Sequence, residues 1–332
     1  MKALVTGGGG FLGSAIVRRL TARGDGVVSF ARGNYPELAK LGVAQHRGDL
    51  ADAAAVAAAA QGCDIVFHVA AKAGIWGQYL EFHRANVLGT ENVIAACHRC
   101  GIRRLVFTSS PSVVFDGTDM VGIDESAPYP RRYKAHYPAT KALAEKMVLQ
   151  ANGPDFATIA LRPHLIWGPG DNNLVPRIIA RAKAGMLRRV GPGTNRVDAT
   201  YIDNAADAHL LAADQLAPGS PVAGKAYFIA QGEPVPLWQL IDRILDAAGL
   251  PPVKKSISPR LAYAAGCVLE LVYGALGRQD EPRMTRFLAR ELSTSHWFNL
   301  HAAHSELGYA PGVSLAEGLR RLREYLLPGR ET

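Results

Sequence analysis

The sequence predicts a doubly wound α/β fold, a parallel sheet with helices packed on both faces, and three observations carry that prediction. A glycine-rich turn at residues 6–13 lies between an apolar run at 3–5 and a segment of helical spacing at 14–20. Short apolar stretches then alternate with helical ones as far as about residue 165. Tyr137 and Lys141 stand four apart at a helix start, which places them on one face of consecutive turns.

Each element follows from its residues. In the turn, Gly7, Gly10 and Gly13 let the backbone approach a pyrophosphate, and Phe11 and Leu12 open the helix whose N–H groups point at it. Further strands are expected at 27–30, 43–46, 65–69, 105–107 and 158–161, and helices at 51–61, roughly 79–100 and 139–151. The tract at 51–60 is mostly alanine, the best helix former, and reads as an outer helix with no binding role. Residues 1–165 are expected to form a dinucleotide-binding domain, with 196–230 partly interleaved, and 166–332 a smaller substrate domain. Residues 307–311 and 314–326 read as a turn and a closing amphipathic helix. The most apolar stretch, 261–276, contains Glu270 and two glycines and is too short for a membrane span. It reads first as a helix lining or covering an apolar pocket, ahead of a peripheral membrane contact or a partner-facing helix.

Composition is that of an ordinary enzyme of one large or two closely joined domains in 332 residues. The net charge of +8 comes from scattered basic residues with no aromatic-interleaved stripe, so no nucleic acid partner is expected. A phosphate-rich cofactor and an anionic substrate would account for part of the excess. The first strand begins at Lys2, so no leader is expected, and the four cysteines suit the reducing cytoplasm. Cys97 and Cys100 form a CxxC inside an expected helix without a second ligand pair, so no metal site is expected.

The chemistry-bearing residues converge on one edge of the sheet. An ammonium at Lys141 would favour the phenolate of Tyr137 and lower its pKa towards neutrality, which suits proton exchange with a carbonyl oxygen. Phe107-Thr108-Ser109-Ser110 ends the fifth strand at the carboxyl edge, where ligands bind in such folds. At the end of the second strand an NAD enzyme carries an acid for the ribose 2′-hydroxyl; here that position is Ala31, followed by Arg32. An arginine there pairs with a 2′-phosphate, so NADPH is the expected cofactor.

Nearly the whole chain resembles the extended short-chain dehydrogenases/reductases, a Rossmann-type superfamily. The resemblance rests on the 6–13 turn, Gly48-Asp49-Leu50, His68-Val69-Ala70-Ala71, Asn86 in Ala85-Asn86-Val87-Leu88-Gly89-Thr90, and Leu161-Arg162-Pro163 followed by Gly168-Pro169-Gly170. It implies Tyr137 as general acid/base, Lys141 as the group that holds the ribose and tunes the tyrosine, and Ser110 as the polariser of the substrate oxygen. Ser109 and Ser112 are weaker candidates for that last role, and Asn86 is implied to support Lys141 through water. The cofactor is implied to contact Asp49, Leu50, Ala70, Ala71, Lys72, Thr108, Ser109 and Pro163 as well as the turn.

Within the superfamily, residues 107–115 resemble the 3-beta-hydroxysteroid dehydrogenase-like branch, since Val114-Phe115-Asp116-Gly117 replaces the Val-Tyr-Gly of sugar-nucleotide epimerases. Residues 32–38, 71–77, 165–173 and 197–204 resemble bacterial 2-alkyl-3-oxoalkanoate reductases of olefin biosynthesis. The resemblance implies reduction of a lipid-like 3-oxo acid, a homodimer paired through helix four and the Lys141 helix, and association with other olefin-pathway enzymes. Leu143, Met147 and Val148 are the apolar candidates for that contact. The alternative is a 3-beta-hydroxysteroid or sterol 4-carboxylate dehydrogenase. A third reading, a non-catalytic dinucleotide-binding sensor or scaffold, is opposed by the presence of both Tyr137 and Lys141. Lys72 and His164 are offered for the substrate carboxylate, and Trp76 and Trp167 for the walls of the apolar pocket.

Overall fold

Ala3, Leu4 and Val5 are completely buried, which is why β1 (Lys2–Thr6) sits inside the sheet rather than at its edge. The computed structural model describes residues 1–327; the last five positions of the expected substrate domain lie outside them. Around β1 runs a seven-stranded parallel sheet. Its order is β7 (Lys225–Ile229), β6 (Ala157–Pro163), β5 (Arg104–Thr108), β4 (Ile65–His68), β1, β2 (Gly26–Ala31), β3 (Ala44–Arg47). Strand order reverses between β1 and β4, which opens a crevice at their carboxyl ends.

Alternation along the strands feeds two apolar layers. Ala3 and Val5 pack with α1 (Phe11–Ala22) and α6 (Ile202–Gln215), while Leu4 packs with α2 (Ala53–Ala60), α3 (Gly89–Arg99) and α4 (His136–Gln150). The alanine tract starts one residue pair later than its composition suggests, because the Asp52 carboxylate accepts from Ala54 N and Ala55 N at 3.0 Å and caps the helix there.

The segment expected as one helix over 79–100 is three pieces. Tyr79–Phe82 leads into a π-helical turn, His83–Leu88, and only then into α3. The wide turn inserts an extra residue and re-aims Asn86, a local change that apolar spacing over two dozen residues does not register.

Beyond β6 the chain builds α5 (Leu174–Lys183), α7 (Leu237–Ala247), α8 (Pro259–Ala275), α9 (Arg286–Glu291) and α10 (Leu315–Leu326). A small second sheet joins Val235–Pro236, Arg196–Val197, His296–Phe298 and Met120–Ile123, so a strand from the first half of the chain is paired with the second half. One buried ion pair ties α4 to β6: Arg162 Nη2 donates to Glu145 Oε1 at 2.7 Å and Arg162 Nε to Oε2 at 3.0 Å. Burial alone would raise the Glu145 pKa, but Arg162 and Tyr129 outweigh it and keep the carboxyl below its usual range.

None of residues 261–276 borders either of the two cavities described below. The stretch forms most of α8, whose Gly266 lies so close to the Thr285–Arg286 backbone that an added Cβ would stand 2.6 Å from Thr285 C. Leu261, Val268, Leu271 and Leu276 on its other side are exposed. The correction has a simple cause: apolar composition says that a helix is greasy, while only packing says which side is covered. None of the described helices is long and apolar enough to cross a membrane.

Candidate active site

The glycine turn is a cradle that side chains would fill. Gly7 has φ +71°, a conformation that favours glycine, and an added Cβ on Gly13 would stand 2.0 Å from Gly7 O. Gly10 precedes α1 without any side-chain cap, so the first N–H groups of the helix face the crevice. Thr6 fixes the neighbouring strand end: its Oγ1 accepts from Val69 N at 3.1 Å and Ala70 N at 3.2 Å and also bonds His68 Nδ1 at 2.8 Å. Burial pushes His68 down to about 3, so this link is neutral.

A cavity of about 790 Å³ opens over this cradle. Gly7, Gly10, Phe11, Leu12, Gly13, Arg32, Asp49, Leu50, Ala70, Ala71, Lys72, Thr108, Ser109, Tyr137 and Lys141 all border it, whereas Pro163 borders a neighbouring cavity. The donor-rich floor, the missing Cβ atoms and a length running from Arg32 to Tyr137 fit a nicotinamide dinucleotide. Arg32 is exposed at the end of β2 and has no salt bridge among the described residues. Asp49 Oδ1 accepts from Ala51 N at 2.9 Å, leaving its other oxygen 3.6 Å from Arg84 Nη2.

Lys141 is 2 % exposed, and its Nζ donates to Thr108 O at 2.6 Å while lying 4.0 Å from the centre of the Phe107 ring. Burial pulls its pKa down to about 7. Burial pushes the Tyr137 phenol the other way, up to about 12, with Glu291 adding to the rise and the Ser110 hydroxyl opposing it. This corrects the expectation of a tyrosine lowered towards neutrality by its lysine. A buried lysine turned to a backbone carbonyl and itself titrating near neutrality offers the phenolate little charge.

Ser110 Oγ lies 2.9 Å from Ser112 Oγ and accepts from Ser112 N at 3.2 Å, which holds it beside the phenol. Ser109 is buried beside the Glu145 carboxylate. The Asn86 side chain does not turn to Lys141. Its Oδ1 accepts from Lys72 N at 2.7 Å and its Nδ2 donates to Lys72 O at 3.1 Å and Thr140 Oγ1 at 3.0 Å, so it clamps the loop after β4 onto α4.

A second cavity, about 460 Å³, shares Thr108, Ser109 and Tyr137 with the first, and Pro163, Ser110 and Ser112 line it. Its walls are mainly apolar, with Ile178, Leu187, Trp238, Ile241 and Phe287 prominent. Leu165, on its floor, is the one non-glycine among the described residues with positive φ, +42°, a strained turn held by Thr200 Oγ1 donating to His164 O at 2.8 Å.

Four residues expected around the substrate stand elsewhere or act differently. Trp167 is buried edge-on against Tyr201 in the core, 5.4 Å between ring centres. Trp76 donates from Nε1 to Arg278 O at 3.0 Å and packs on Tyr273 of α8. Lys72 borders the dinucleotide cavity only and pairs with Glu81 Oε2 at 2.9 Å. His164 does line the substrate cavity, but burial pulls it down to about 4 and its Nδ1 bonds Asp198 O at 2.8 Å, so it brings no positive charge.

The residues that sequence reasoning missed are Arg177 and Arg181 on α5 and Glu291 at the end of α9, all lining this cavity. Arginines four apart on a helix that also carries Leu174, Val175, Ile178 and Ile179 were the available signal.

Comparison with known proteins agrees with this geometry. The profile of the 3-beta hydroxysteroid dehydrogenase/isomerase family matches residues 4–259. A "2-alkyl-3-oxoalkanoate reductase" of Stenotrophomonas maltophilia is 55 % identical, covering 97 % of this chain and 98 % of its own. Its namesake in Shewanella oneidensis is 51 % identical over 98 % of this chain and 86 % of its own. A human "sterol-4-alpha-carboxylate 3-dehydrogenase, decarboxylating" is 36 % identical over 96 % and 87 %. Among solved structures, MoeE5 in complex with UDP-glucose and NAD superposes with TM-score 0.75 at 25 % identity over 98 % of both chains. Fold and cradle together define an oxidoreductase that works with a nicotinamide dinucleotide. The chain belongs to the 3-beta hydroxysteroid dehydrogenase/isomerase family, within the extended short-chain dehydrogenases/reductases.

Proposed function

We propose that this enzyme reduces 2-alkyl-3-oxoalkanoic acids to 2-alkyl-3-hydroxyalkanoic acids with NADPH, in the cytoplasm and within olefin biosynthesis. The observation that carries this reading is the position of Tyr137, beside Ser110, at the junction of the dinucleotide cavity and an apolar-walled second cavity. When bound, the nicotinamide supplies a hydride to carbon 3. Ser110 hydrogen-bonds the carbonyl oxygen, and Tyr137 Oη gives that oxygen its proton. A phenol held near 12 is protonated at neutral pH, which is the form a reductase needs at the start of its cycle. Names and near-complete coverage of the two bacterial relatives support the same substrate. Incubation with NADPH and a racemic 2-alkyl-3-oxo acid, followed by mass spectrometry, tests the reading. A product two hydrogens heavier is expected, and turnover confined to sterol 4-carboxylates would replace the reading with the sterol alternative, which the human relative's name favours.

The choice of NADPH rests on Arg32 following Ala31 with no acid paired to it among the described residues. A charge-assisted contact to the 2′-phosphate contributes about 1.5–3 kcal/mol, so Arg32→Ala should raise KM for NADPH roughly 10–100-fold and leave KM for NADH nearly unchanged. Equal changes for the two cofactors, or a wild-type preference for NADH, would overturn the assignment.

A homodimer is proposed through the helical segment 79–100 and the outer face of α4, where Leu143 is exposed and Met147 partly so. Val148 leaves that set, because it is fully buried against the sheet. Light scattering at micromolar concentration should give twice the chain mass; a monomer rejects the contact.

A further inference from the structure

We propose that Arg177 and Arg181, on the cavity-facing side of α5, receive the carboxylate of the substrate and so make the enzyme selective for acids over esters and ketones. The inference rests on the 3-oxo acid reading above and names the residues that read its charged end.

Positions 174, 177, 178 and 181 all border the second cavity, so one face of α5 forms its wall, with Leu174 and Ile178 apolar and the two arginines charged. Both guanidiniums share a single acid. Arg177 bonds to Glu281 Oε1, and Arg181 Nη2 stands 3.8 Å from the same oxygen. Two cations against one carboxylate leave a positive charge at the wall of a largely apolar space. Burial and the adjacent Arg177 both depress the Arg181 pKa, the direction expected of a guanidinium short of counter-charge.

The other acids that line the cavity, Asp171 and Glu291, are placed differently. Asp171 caps α5: Oδ1 accepts from Asn173 N at 2.8 Å and Oδ2 from Val175 N at 2.8 Å. Glu291 lines the same cavity as Arg177 and Tyr137. Burial raises Glu291 to about 7, so it is partly neutral at physiological pH and a weak counter-ion. The remaining basic side chains of the lining, His164 and His296, are held neutral by burial, at about 4 and about 3. Among the described residues lining the cavity, Arg177 and Arg181 are therefore the cations available to an entering carboxylate. Their planar donor forks suit it.

The test measures binding apart from turnover. The NADP-loaded protein is titrated calorimetrically with 2-butyloctanoate, a carboxylate with no ketone, and with its methyl ester. Wild type should bind the acid roughly 10-fold or more tighter than the ester. Arg177→Gln and Arg181→Gln should each erase most of that preference while leaving ester affinity and NADP affinity unchanged. Equal binding of acid and ester by the wild type, or parallel loss of both ligands in the variants, overturns the proposal. If the acid preference is present and arginine-dependent but no 2-alkyl-3-oxo acid is reduced, the carboxylate site stands and the reductase reading falls.

Discussion

Tyr137→Phe should lower kcat by about 10²–10⁴-fold while NADPH binds with nearly wild-type affinity. Tyr137 lies beside Ser110 at the junction of the two cavities, and a phenol is a stronger acid than the Thr108 and Ser109 hydroxyls that also border both. The ring itself remains in the variant, so packing of the α4 start and the walls of the dinucleotide cavity are preserved. Single-turnover measurement of NADPH oxidation separates the chemical step from product release. Wild-type rates in the phenylalanine variant would move the proton-donor role elsewhere. A loss confined to KM would make Tyr137 a binding group only.

Arg162→Ala should destabilise the fold by about 3–5 kcal/mol, because it leaves the Glu145 carboxylate buried without its partner. Arg162 is 2 % exposed and Glu145 is fully buried, so the pair is shielded from solvent in the native fold. Tyr129 Oη, donating to Glu145 Oε1 at 2.6 Å, is a neutral donor and replaces only part of the lost charge. Urea unfolding gives the loss directly, and a midpoint equal to that of the wild type would refute it. The double variant Glu145→Leu with Arg162→Leu should recover much of the stability, since removing both charges also removes their desolvation cost. Activity should recover less. The pair joins α4, which carries Tyr137 and Lys141, to the strand that ends at Pro163 in the lining of the second cavity.

How far the site was legible in the sequence depends on the range of the interaction concerned. Gly7, Gly10 and Gly13 are readable because strand, turn and helix are contiguous, and the cradle needs nothing from distant residues. Tyr137 and Lys141 are readable because a helix puts positions four apart on one face. Their electrostatics were not readable. The reversal of the Tyr137 shift depends on desolvation within the cleft and on the buried Lys141 bonding Thr108 O, which is 33 positions away. Arg162 was visible only as part of a motif, with no sign that Glu145 lay opposite it.

Local pattern therefore determined the parallel sheet, the dinucleotide turn, the Tyr–Lys pair and the acid-free end of β2 at Arg32, since each is set by neighbours within a few residues. Tertiary structure alone decided the contents of the substrate cavity. It sent Trp167 into the core and Trp76 to α8, neutralised His164 by burial, and faced Lys72 towards Glu81. It also brought Arg177 and Arg181 of α5 opposite Glu291 of α9. Those side chains meet across more than a hundred positions, and neither composition nor helical spacing encodes which faces of two separate helices look into the same space.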